Sequence, residues 1–194
     1  LSGSYNFSRS ETPEKWYLRK LLSKTEHTTL ILLLGGSGAR FESSIPKQFI
    51  KLFGKKTLFQ ETVERVDGFV PTERIFIQTV AGYEDEIRAQ APKILSKNII
   101  VEPVSRNTAM AMFYGAMVIK RKDPEAVIVN LWSDHKIKQA GAFRKALTQA
   151  VHVASKGNWL VTIGIKPTFP HTGLGYIEAG KVIDVEKGNR AYQG

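Results

Sequence analysis

The chain has 194 residues, 42% hydrophobic and 24% charged, an ordinary globular composition sufficient for one domain with its own core. It contains no cysteine, which excludes a disulfide framework, a cysteine-based zinc site and thiol catalysis. A net charge of +10 admits nucleic acid, an acidic membrane surface or small phosphorylated molecules as partners, but the basic residues fall in short clusters such as Lys55-Lys56 and Lys120-Arg121-Lys122, which read as solvated faces.

Residues 1–27 are polar and read as an N-terminal extension, with one predicted helix over Pro13–Ser23 and no legible chemistry. A regular alternation starts at Thr28. The run Thr28–Leu34 is short and apolar and ends in glycines, which predicts a buried strand. Its apolar run Leu30–Leu34 is too short to cross a membrane or to form a signal-peptide core, so the expected location is cytoplasmic. Leu58, Thr62, Val63 and Val66 share one helical face. Arg74–Val80 predicts a second strand, and Tyr83–Leu95 a polar helix interrupted late by Pro92. Asn98–Val101 predicts a third strand, followed by a helix over Thr108–Lys120 capped by Asn107 or Thr108. Ala126–Leu131 predicts a fourth strand. Phe143, Leu147, Ala150, Val151 and Ala154 mark another helix, and Trp159–Ile165 predicts a fifth strand.

This alternation implies an α/β fold, a Rossmann-like, mostly parallel sheet flanked by helices, beginning at residue 28. Such sheets bind ligands beyond the carboxyl ends of their strands, where strand order reverses. The residues that follow each strand are therefore the candidates for chemistry.

After the first strand comes Gly35-Gly36-Ser37-Gly38-Ala39-Arg40. Glycines allow close approach to a phosphate, successive backbone N–H groups form an anion cradle, and an arginine adds a charged fork. Pro46-Lys47-Gln48-Phe49 then brings a second cation to the same strand end. The loop is not a Walker A loop, since no Gly-Lys-Ser/Thr closes it, and its spacing is not that of the dinucleotide fingerprint. After the third strand, the polar octet Glu102-Pro103-Val104-Ser105-Arg106-Asn107-Thr108-Ala109 opens a helix and can offer hydrogen bonds to a base edge and ribose. After the fourth strand stands Ser133-Asp134-His135, whose carboxylate suits a hard, oxygen-loving cation. Alone, each of the last two motifs would serve equally as a helix cap or a turn.

Together these motifs resemble, in order, the signature of the nucleotide-diphospho-sugar pyrophosphorylases, and the octet is similar to the Glu-Pro-x-x-Arg-Asn-Thr-Ala pattern of their mannose-1-phosphate guanylyltransferase branch. The match extends to Gly173-Leu174-Gly175-Tyr176-Ile177-Glu178, which resembles the family's sugar-pocket segment, with His171 where Glu is usual and Leu174 where Tyr is usual. The resemblance implies transfer of a nucleotidyl group from GTP to a sugar 1-phosphate, giving GDP-mannose and pyrophosphate. It implies that Gly35, Gly36, Ser37 and Gly38 wrap the triphosphate and that Arg40 and Lys47 neutralise it. Glu102, Arg106, Asn107, Thr108 and Ala109 would contact the nucleotide, Gly173, Tyr176 and Glu178 the sugar, and Asp134 would hold Mg²⁺. It implies no nucleic-acid or membrane partner, and it is compatible with a homodimer.

Two departures keep alternatives open. Only Phe41-Glu42-Ser43-Ser44-Ile45 separates Arg40 from Pro46, where the guanylyltransferases carry a longer stretch, and this short form also resembles the cytidylyltransferases of isoprenoid synthesis. The family's later motifs, a sugar-contacting Phe-x-Glu-Lys-Pro and a second metal-binding aspartate, find no match before Gly194. The catalytic domain, residues 28–194, is therefore expected to be incomplete at its C-terminus, and a nucleotide-binding module without turnover stands as a third reading.

Overall fold

The structure, a computed structural model, describes residues 26–34, 46–52, 54–104, 107–186 and 189–192. Four strands, β1 (Thr28–Leu33), β2 (Ile75–Val80), β3 (Ile99–Glu102) and β4 (Val127–Trp132), form one sheet in the order β3-β2-β1-β4, every pair parallel. Strand β1 is buried along its whole length. This explains why its sequence is a continuous apolar run: a parallel strand covered on both faces has no polar side to alternate with.

Four helices provide the cover: α1 (Leu58–Val66), α2 (Glu84–Gln90), α3 (Thr108–Lys122) and α4 (Ala140–Ala154). The pleat sends Leu30, Leu32 and Leu34 into one core, where they meet Phe59 and Val66 of α1, Ile87 of α2 and Leu147 of α4. Ile31 and Leu33 point the other way, into a smaller core with Phe76, Ile100 and Ile119 of α3. Helix α1 starts at a reciprocal capping box. Thr57 Oγ1 accepts from the Gln60 amide and Gln60 Oε1 from the Thr57 amide, both at 3.1 Å. Two otherwise unpaired donors at the helix start are thereby satisfied.

The chain winds outward from β1 through β2 to β3 and then returns to the other side of β1 for β4. Strand order thus reverses between β1 and β4, and the carboxyl ends of these two strands bound the crevice where a sheet of this kind takes its ligand.

The expected parallel α/β sheet is present, and its four strands lie within a residue or two of the predicted spans. Helix α2 ends at Gln90, well short of Leu95. Ala91 leaves helical geometry with φ −132° and ψ 63°, as expected for a residue preceding a proline. One expectation fails: Trp159–Ile165 forms no strand. Residues 159–181 carry no regular structure, and Leu160 and Ile165 are 105% and 88% exposed. Strand propensity describes how a residue fits a pleated, half-buried surface, and this segment has no strand partner among the described residues. An antiparallel hairpin, β5 (Val182–Glu186) with β6 (Asn189–Tyr192), forms instead where no strand was expected. The helix expected over Pro13–Ser23 lies outside the described residues.

Candidate functional site

The two motifs with the clearest geometry meet at the β1/β4 crevice. Pro46–Phe49 returns the chain to the carboxyl end of β1 as a single 3-10 turn over Lys47–Phe49. Gln48 is buried, and its Nε2 donates to the Leu34 carbonyl at 3.2 Å. Phe49 is buried against Phe59, edge to face with centroids 5.9 Å apart, and against Tyr83. Gln48 and Phe49 are therefore anchors, and they leave Lys47 with its side chain part-exposed over the strand ends.

On the facing side, the Ser133 amide donates to the Leu33 carbonyl at 3.3 Å, which prolongs the β1–β4 ladder by one residue. Asp134 follows immediately, its carboxylate projecting where the ladder stops. Lys47 Nζ lies 3.7 Å from Asp134 Oδ2, and His135 Nε2 lies 3.6 Å from Oδ1. The Ser133 hydroxyl is buried beneath them with no hydrogen-bond partner among the described residues.

Two side chains of α1 support this turn, and sequence reasoning missed both. Arg65 Nη2 donates to the His135 carbonyl at 3.0 Å, and Lys136 Nζ pairs with Glu61 at 2.5 and 2.7 Å. Burial pulls the Arg65 guanidinium below its ordinary range, and the neighbouring Glu61 charge offsets part of that. The available signal was positional: Arg65 stands three residues after Thr62 and one before Val66, on the buried face of the helix.

The octet is split. Glu102 ends β3 and is buried, and its Oε1 accepts from Gln78 Nε2 at 3.0 Å. Gln78, itself fully buried, donates from the same nitrogen to the Ala111 carbonyl of α3 at 2.7 Å. Glu102 thus has a structural tie from below, through a glutamine that sequence reasoning did not single out. Asn107 caps α3 through its backbone, with φ 24° and no side-chain capping bond. Positive φ outside glycine is uncommon and best tolerated by asparagine. Asn107, Thr108 and Ala109 are all exposed, so the opening turn of α3 faces solvent with donors that no helix bond uses. Arg106 lies outside the described residues, as do Gly35, Gly36, Ser37, Gly38 and Arg40.

Gly173, Tyr176 and Glu178 lie on the exposed stretch 159–181. Gly173 and Tyr176 share a turn built on His171: the His171 amide donates to Tyr176 Oη at 2.6 Å, and the Gly173 amide donates to His171 Nδ1 at 3.0 Å. A Cβ on Gly173 would meet His171 Cε1 at 2.9 Å, which fits glycine at that position.

For a metal, the described residues offer one carboxylate at the crevice and no group of three or more His, Cys, Asp or Glu. That donor set does not suit an ion caged wholly by protein. It does suit Mg²⁺, which commonly takes one or two carboxylates and fills its octahedron with phosphate oxygens and water. The part-exposed Asp134 carboxylate, with a lysine ammonium beside it, has that form. None of the described helices is long and apolar enough to cross a membrane.

The described residues thus form a parallel α/β sheet with a reversal crevice, and a lysine and an aspartate face each other across it. Residues 29–189 match the nucleotidyl transferase family model, and the chain belongs to that family. Among curated relatives, it is 36% identical over 162 residues to a mannose-1-phosphate guanylyltransferase of Escherichia coli, covering 79% of this chain and 34% of the relative. It is 39% identical over 158 residues to the xanthan biosynthesis protein XanB of Xanthomonas campestris, covering 77% of this chain and 33% of that one. Among solved structures it resembles a Thermus thermophilus protein described as a mannose-1-phosphate geranyltransferase. The TM-score is 0.59 at 30% identity, over 68% of this chain and 39% of the other. The chain spans about a third of the length of the curated relatives it matches.

Proposed function

We propose that residues 28–194 belong to the catalytic domain of a mannose-1-phosphate guanylyltransferase, which makes GDP-mannose and pyrophosphate from GTP and α-D-mannose 1-phosphate. The observation that carries the reading is the pairing of Lys47 and Asp134 at 3.7 Å across the reversal crevice of a nucleotidyl transferase sheet. The names of the curated relatives support the choice of substrates.

The reaction is displacement at the α-phosphorus of the nucleotide by a phosphate oxygen of the sugar phosphate, with pyrophosphate leaving. The nucleophile is already anionic at neutral pH, so no general base or covalent intermediate is needed, and catalysis reduces to positioning and charge neutralisation. Lys47 would meet the triphosphate oxygens and stabilise charge on the departing pyrophosphate. Gly35, Gly36, Ser37, Gly38 and Arg40 would wrap and neutralise the same triphosphate, and Asp134 would hold Mg²⁺. When bound, that ion supplies Lewis-acid neutralisation of phosphate oxygens. The open first turn of α3, with Asn107, Thr108 and Ala109, would meet base and ribose together with Glu102 and Arg106. Gly173, Tyr176 and Glu178 would contact the sugar.

Calorimetric titration of the chain with GTP, CTP and UTP in Mg²⁺ tests the reading. The expected result is tightest binding of GTP. Equal or tighter CTP binding would reject the guanylyltransferase and favour a cytidylyltransferase, the reading to which the short 41–45 spacer also points.

A further inference from the structure

Asp134 sits on a turn, and a turn does not by its nature hold a carboxylate still. What holds this one comes from outside it. On the side before Asp134, Ser133 is fixed to β1 through its amide. On the side after it, both residues are fixed to α1: the His135 carbonyl by Arg65 at 3.0 Å, and the Lys136 ammonium by Glu61. Among the described residues no such tie is seen for Asp134 itself, and its side chain faces Lys47.

Arg65 is the less expected of the two supports, because it is only 6% exposed. Burying a guanidinium is costly unless its donors are met. Here it lies over the Phe143 ring of α4 with its centre 5.7 Å from the centroid, reaches Thr62 Oγ1 at 3.5 Å, and delivers its short bond to the turn. The link to α4 does not depend on this side chain alone. Arg144 donates to the backbone carbonyls of Arg65 at 2.9 Å and Asp67 at 2.7 Å, bonds that a substitution at position 65 leaves in place. The Arg65 side chain therefore supports the turn as well as packing on α4, and only the first of these depends on its hydrogen bond to the His135 carbonyl.

We infer that Arg65, seconded by Glu61, is a positioning residue that sets the Asp134 carboxylate at the separation from Lys47 that uptake of a metal–nucleotide complex requires. The inference rests on the proposed role of Asp134. Partners one step removed from a metal ligand typically change affinity by about 10- to 100-fold when lost, because a misaimed carboxylate is a poor ligand even when present.

Two readouts on the full chain test it: Mn²⁺ uptake in the presence of GTP, followed by electron paramagnetic resonance, and hydrogen exchange of the Ser133–Lys136 amides without ligand. Arg65→Met should weaken Mn²⁺ uptake by about tenfold, the lower bound for such partners. Arg65→Lys, which can still donate to the His135 carbonyl, should recover part of that loss. Exchange across Ser133–Lys136 should quicken in Arg65→Met while the β1 and β2 amides stay protected. Should Arg65→Met fail to fold, Glu61→Ala, at the rim of the same clamp, should shift both readouts in the same direction. Wild-type Mn²⁺ affinity and unchanged exchange in the folded variants would overturn the inference. If the wild-type chain takes up no Mn²⁺ with GTP, it is the metal role of Asp134 that fails, and the exchange measurement then decides alone whether Arg65 positions the turn.

Discussion

Lys47 Nζ stands 3.7 Å from Asp134 Oδ2, although one belongs to the segment after β1 and the other to the turn after β4. A charge-assisted hydrogen bond would bring such atoms to about 2.7–2.9 Å. The observed spacing keeps the opposite charges together without closing them on each other. Each side chain is about two-fifths exposed, 40% for Lys47 and 44% for Asp134, so water screens their attraction and either can turn to an incoming anion or cation.

That spacing separates function from stability at these two positions. Lys47→Ala should lower turnover by roughly 10²- to 10³-fold, as for loss of one preorganised donor, and the exposed pair should contribute no more than about 1 kcal/mol to folding. Asp134→Asn should fold, retain weak GTP binding and lose nearly all pyrophosphorolysis. Steady-state rates beside thermal melts check both. An inactive Lys47 variant that is also unfolded would make the lysine structural, and a fully active Asp134→Asn would remove the metal assignment.

Gly115 lies where α3 passes over the sheet. A Cβ there would come within 2.2 Å of Gln78 Oε1 and 3.0 Å of Ile31 Cδ1. Gln78 cannot swing aside without cost, because its amide nitrogen serves both Glu102 and Ala111. Gly115→Ala should destabilise the chain by about 1–3 kcal/mol, the usual scale of overpacking, read from urea denaturation. GTP binding should also weaken if Glu102 contacts the nucleotide, since the displaced glutamine is its tie. Wild-type stability in this variant would show that Gln78 has room to move.

Asp123 sits at the opposite end of the sheet. It accepts from Arg74 Nη1 at 3.0 Å and from His27 Nδ1 at 3.0 Å, and its Oδ1 accepts from the Glu125 amide. Burial alone would raise its carboxyl, but the Arg74 and His27 hydrogen bonds, the His27 charge and the Glu125 amide outweigh that and hold it below the usual carboxylate range. A carboxyl depressed in the folded state adds stability above its unfolded value of about 3.9 and loses it as pH falls through the lower folded value. Asp123→Asn should therefore cost about 1 kcal/mol near pH 7, and the wild-type and variant stability curves should converge below about pH 4. A gap that persists undiminished in acid would assign the effect to shape rather than charge.

The sheet was legible because β1, β2 and β4 are apolar runs bounded by turn residues, and the helices between them are long enough to fix a parallel crossover. The lysine and the aspartate were legible as residues that follow strands, a position that carries meaning only once strand order is known. Other features depended on contacts that no local pattern records. Gln78 sits inside a strand and reads as an ordinary polar interruption until α3 is laid over it. Arg65 reads as a charge on the apolar face of a helix, with nothing to explain it until its partner, a backbone carbonyl with no sequence signature, is in place. Trp159–Ile165 failed for the converse reason: its composition is that of a strand, but strands are made by their neighbours. The sugar residues Gly173, Tyr176 and Glu178 were read from resemblance alone, and the contacts of Gly173 and Tyr176 with His171 are local.

The stretch 159–181 has a practical consequence for handling the protein. Its backbone joins no ladder or helix, and it exposes Lys166 and Lys181. Trypsin cleaves fastest where the chain can enter its active site extended, but it does not cut a lysine that precedes proline, and Pro167 follows Lys166. Lys181 should therefore be cut before the basic residues of α1, α3 and α4. That cut falls beyond β4 and α4, and every strand of the parallel sheet stays on the N-terminal side. Brief digestion thus trims away the hairpin and leaves a product that keeps Lys47, Asp134, the clamp beneath them and the residues expected to choose the sugar.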